Sequence, residues 1–106
     1  MFVNNPLDII VEIVTKKYTK LDVKIWIAEF NHKKIGLGWT QFPKNKSIEI
    51  VLWQGMTIMQ CTDILAHELA HAIAGSKANH NKKWKLIYTW IHKQYCLNLK
   101  NKGDIQ

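Results

Sequence analysis

The chain has 106 residues, 47% of them hydrophobic and 22% charged, which fits a single globular domain over residues 1–106 and excludes a disordered tail. No apolar run reaches the roughly 18 residues that a spanning helix needs, and residues 1–14 lack a basic start and carry Asp8 and Glu12, unlike a signal peptide, so a cytoplasmic protein without membrane attachment is expected. Fifteen basic residues, every one a lysine, outweigh eight acidic ones to give +7, a balance that suits phosphate contacts but, without arginine, argues against base-specific reading of nucleic acid.

Asn5 and Pro6 read as a helix cap followed by proline at the first helical position. Leu7, Ile10, Val11, Val14 and Tyr18 then recur with helical spacing, so an amphipathic helix is predicted to end near Tyr18. Three β-rich runs follow, at 23–30, 35–42 and 47–53. In the first, Val23, Ile25 and Ile27 share a face; in the second, Ile35, Leu37 and Trp39; in the third, Ile48, Ile50 and Leu52. The short polar connections at 31–34 and 43–46 predict consecutive antiparallel hairpins.

Thr57 with Gln60 three positions later fits a capping box that opens a helix, and Gly75 is its predicted stop. A last helix is predicted over 81–96, with Trp84, Ile87, Tyr88, Ile91 and Tyr95 as its apolar stripe. Cys61 and Cys96 form no metal-binding pair in sequence and read as reduced core residues. The expected fold is α+β: an N-terminal helix, a three-stranded antiparallel sheet, and two C-terminal helices.

His67-Glu68-Leu69-Ala70-His71 carries the chemistry. Histidines four apart on a helix lie on nearly one face and can reach a single zinc ion, while the glutamate beside them can act on a metal-bound water without ligating the metal. Leu65, Leu69, Ala72 and Ile73 supply the apolar stripe of the same helix. A catalytic zinc needs a third protein ligand and an open position. No glutamate follows Glu68, and Ala74 and Lys77 stand where a metzincin pattern has glycine and histidine. His80, His92, Cys96 and Asp104 remain as third-ligand candidates. His80 is favoured, because it follows the Gly75 break and precedes the last helix, where a return loop can bring it under the metal.

The run from Ile64 through His67, Glu68 and His71 to Gly75, followed by His80-Asn81-Lys82-Lys83-Trp84-Lys85, resembles the SprT-like zinc metallopeptidases. That family pairs H-E-x-x-H with a later H-G-x-x-[WF]-K element. The likeness extends over the preceding strands, from about residue 20 to 96. It implies His67, His71 and His80 as zinc ligands, Glu68 as general base, and a peptide or protein substrate, in some members one attached to DNA. Two departures stand out. Asn81 replaces the usual glycine, and no four-cysteine ribbon follows, so nonspecific DNA contact would fall to the lysines. The expected activity is peptide hydrolysis, with Tyr88, Tyr95 and His32 as candidate oxyanion stabilisers. The alternatives are a non-catalytic zinc-stabilised domain that binds peptide, and a basic nucleic-acid-binding module.

Overall fold

The computed structural model describes residues 6–105, with side chains described from 6 to 98. The elements run α1 (Pro6–Lys17), β1 (Val23–Ala28), α2 (His32–Ile35), β2 (Gly38–Gln41), β3 (Ile48–Trp53), α3 (Ile58–Ala74) and α4 (Lys82–Ile105). The architecture is α+β, four helices with a three-stranded sheet. The Asn5 cap and the Asp104 side chain lie outside the described residues.

The sheet corrects the expectation of an all-antiparallel meander. Its order is β1-β3-β2. β1 runs parallel to β3, with Val23 opposite Ile48 and Ala28 opposite Trp53, while β2 runs antiparallel to β3. The cause lies in residues 29–37, which read as a hairpin connection and a strand start but form a helical turn. Asn31 carbonyl accepts from the amides of Lys34 and Ile35, and Gly36, at φ 108°, leaves the turn with its amide bonded to His32 carbonyl. This segment is tied across the end of β3: the His32 ring stacks on Trp53 at 3.7 Å, and Glu29 accepts from Trp53 Nε1 and Gln54 Nε2. The chain therefore passes β3 before β2 begins, and β3 becomes the centre. Ile35, predicted on a strand face, sits in α2 and is exposed, and Ile27 is exposed on the β1 edge.

Central placement explains why Ile50 and Leu52 of β3 are fully buried. They pack with Ile10 and Val14 of α1, Leu65 and Leu69 of α3, and Trp84, Ile87 and Ile91 of α4. Each such aliphatic side chain contributes about 1.5–3 kcal/mol on leaving water. β2 lies close under α3: a Cβ at Gly38 would stand 3.0 Å from Ile64 Cγ2 and 3.0 Å from the Val51 carbonyl oxygen. Glycine there lets the strand and helix approach.

α3 begins at the predicted capping box, with Thr57 Oγ1 accepting from Gln60 amide and Gln60 Oε1 accepting from Thr57 amide. It stops at Gly75, φ 101°. α4 extends past the predicted end at Cys96 to Ile105. Both cysteines are free; Cys61 is buried as expected, whereas Cys96 is exposed. Among the described residues no helix is long and apolar enough to cross a membrane.

Candidate metal centre

α3 spends one face on the core and turns the neighbouring one toward β2 and the loop after Gly75. His67 and His71, one turn apart, stand on that second face. The loop brings His80 back to them. Its turns are fixed by Ala78 amide donating to Gly75 carbonyl and Asn81 amide donating to Ala78 carbonyl, by the buried Ala78 methyl, and by Asn79 at φ 47°, a left-handed position that asparagine tolerates better than most residues. Asn81 Oδ1 then accepts from Trp84 amide at 3.1 Å and caps α4. Asn81 thus has a local task at the helix start.

The three Nε2 atoms form a nearly equilateral triangle: 3.2 Å from His67 to His71, 3.1 Å from His71 to His80 and 3.1 Å from His80 to His67. The corners of such a triangle are about 1.8 Å from its centre, so an ion at the ~2.0–2.1 Å Zn–N distance reaches all three together. The donor set fits a metal ion, and among the described residues no other group of three such side chains does. Burial pushes the His67 imidazole below its usual range, helped by the charge of His80. Burial and the neighbouring imidazoles push His71 down to about 4. Both rings are therefore neutral near pH 7, the form that ligates.

Trp84 backs the triangle. Its indole Nε1 donates to His67 carbonyl at 3.2 Å. Its ring lies 4.7, 5.3 and 4.6 Å from the rings of His67, His71 and His80. Through this contact Trp84 joins α4 to the histidine helix.

Glu68 lies beside the triangle and reaches toward Thr40 of β2. It is only 7% exposed. Thr40 Oγ1 stands 2.8 Å from Glu68 Oε1 and 3.1 Å from Glu68 carbonyl oxygen, with its one proton to donate between them. The other carboxylate oxygen, Oε2, is 3.9 Å from His67 Nε2. Burial raises the carboxyl above the usual range, and the Thr40 hydrogen bond opposes that rise. Beside Glu68 and His71 opens a cavity of about 320 Å³, lined by Gly38, Trp39, Thr40 and Phe42 on one side and Gly75, Ser76 and Asn79 on the other.

The remaining sequence candidates are elsewhere. His92 Nε2 lies 2.9 Å from Asp63 Oδ1 and 3.1 Å from the Tyr88 hydroxyl, Cys96 is exposed away from the triangle, and His32 is stacked on Trp53. Tyr88 hydroxyl donates to Asp63; burial first and that bond second push the phenol up to about 12. Tyr95 lines a separate, mainly apolar cavity with Ile10, Met59 and Ile91. None of the three oxyanion candidates lines the cavity beside Glu68. Thr40 and Asp63 were not among the sequence candidates. Each meets its partner across 25 or more residues of chain, and no local pattern announces such contacts.

Comparison with protein-family models, curated proteins and solved structures gave no match.

Proposed function

We propose that the chain is a zinc-dependent metallopeptidase of SprT-like, zincin type, in which His67, His71 and His80 hold the metal and Glu68 is the general base. The observation that carries this reading is the convergence of three imidazole nitrogens on one point, with a buried carboxylate one residue away. Three imidazole donors would suit zinc in a hydrolytic site better than the sulfur-rich sets of structural zinc. A zinc ion held there supplies Lewis acidity toward a carbonyl oxygen and makes water acidic near neutral pH. Glu68 accepts the proton of the attacking water on Oε2 and returns it to the leaving amine. Thr40 holds Oε1, so only one carboxylate oxygen is left for proton traffic.

The edge strand beside this site is β2. In its pairing with β3, Trp53 amide donates to Leu37 carbonyl, which sets the alternation along the ladder. Leu37, Trp39 and Gln41 then turn their backbone groups to β3, and Gly38 and Thr40 turn theirs to the open edge. An extended polypeptide can add there as a further strand, with its scissile carbonyl beside the cavity. The substrate class is accordingly an unfolded or extended protein segment.

The test is Glu68→Gln, assayed with zinc on an unfolded protein such as casein. Zinc binding should persist while hydrolysis falls by about 10²–10⁴, the usual worth of general base catalysis. A variant as active as the parent, or a zinc-loaded parent that cleaves no unfolded protein, would contradict the reading.

A further inference from the structure

Thr40 belongs to two constructions at once. Its hydroxyl is 2.8 Å from the Glu68 carboxylate. Its backbone sits opposite Ile50 in the ladder, one of the positions whose amide and carbonyl face away from β3. Among the described residues no strand pairs with that edge. The side chain cannot drift far, because the Gly38 approach holds β2 against Ile64 of α3 and the hydroxyl is also 3.1 Å from Glu68 carbonyl oxygen. We infer that Thr40 is a positioning residue that couples the two: an extended substrate chain pairs with its backbone amide and carbonyl while its hydroxyl aims Glu68, so the base is held at full alignment when a chain lies along β2. The inference rests on the peptidase reading of the site.

Thr40→Val keeps the β-branched shape and the backbone and removes only the hydroxyl; Thr40→Ser restores it. Misplacing a reacting group by about 1 Å costs on the order of 10²-fold in rate, so Thr40→Val should lower kcat by about 10- to 100-fold with KM and zinc stoichiometry close to the parent. Thr40→Ser should return kcat to within about threefold of the parent. A second readout does not depend on turnover. With ¹³C-labelled glutamate, the Glu68 carboxylate signal, identified by its loss in Glu68→Gln, should move in Thr40→Val and stay in place in Thr40→Ser. An active parent with equally active Thr40→Val overturns the coupling and leaves the peptidase reading intact. Thr40→Ser as impaired as Thr40→Val overturns it as well, since shape and not the hydroxyl would then matter. A zinc-loaded parent without hydrolysis removes the peptidase reading and this role with it, even if the carboxylate signal moves as described.

Discussion

One turn of α3 separates two clusters built from similar side chains. At Asp63, a carboxylate, a phenol and an imidazole from α4 meet, and every group finds its complement: Tyr88 hydroxyl donates to Asp63, and His92 Nε2 stands beside the same oxygen. These two contacts hold the Asp63 carboxyl below its ordinary range. At His67, His71 and His80, three nitrogens of one kind converge with no carboxylate among them to balance a shared proton. Complementary polar groups fasten two helices; three convergent imidazole nitrogens suit a cation. Residue type does not distinguish the clusters, since each contains histidine and lies near a carboxylate. Complementarity does.

Trp84 links the clusters and offers the strongest way to separate them short of removing a ligand. It contacts all three imidazoles on one side and stacks on Tyr88 on the other, at 5.0 Å and 8° between planes. Trp84→Phe keeps an aromatic ring and loses the bond to His67 carbonyl. Metal affinity measured by chelator competition should drop about 10- to 100-fold, the usual scale for a supporting contact. Unchanged affinity would reduce Trp84 to core packing.

The pH response sharpens the contrast from another side. In the metal-free chain, His71 titrates near 4 when folded against about 6.5 when unfolded. Between those values the unfolded chain binds more protons, so stability should fall as pH drops from about 6.5 toward 4. His67, also lowered, adds in the same direction. Glu68, raised by burial, acts oppositely above the unfolded carboxylate value near 4.3, where folding then favours its protonated form. Denaturant melts at several pH values on parent and His71→Gln test this: the variant should lose part of the fall below pH 6.5, and an identical profile would contradict it.

The smallest effect belongs to the fastening cluster. Tyr88→Phe keeps the stack on Trp84 and removes the bond to Asp63. A loss of about 1 kcal/mol in unfolding free energy is expected, with metal affinity within about threefold of the parent. A larger loss of metal than of stability would place Tyr88 in the metal site's support.

What the sequence made legible was local. The Thr57–Gln60 box, the Gly75 stop and the four-residue spacing of His67 and His71 are all encoded within α3, and the structure has them as read. His80 was reachable because so few candidates follow Gly75. The sheet was not legible. Alternation marks the core-facing residues Ile50 and Leu52 of β3 and Val23 and Ile25 of β1, but names no partner strand, and the same pattern serves parallel and antiparallel pairing. The decisive feature was the single helical turn at His32–Ile35 and its stack on Trp53, four residues too short to carry a helical period. Thr40 was invisible for a related reason: its significance exists only once β2 lies at the edge beside Glu68. Asn81 did leave a signal, an asparagine just before a helical stripe, yet it stood out only as a departure from a motif.

The central claim is that His67, His71 and His80, and not the cluster one turn away, hold a metal ion. Metal content by elemental analysis on the parent, His80→Ala and His92→Ala, each reconstituted with zinc, tests it most directly. The account predicts one zinc per chain in the parent and in His92→Ala, and loss in His80→Ala. Zinc retained equally by His80→Ala, or none bound by the parent, would contradict it.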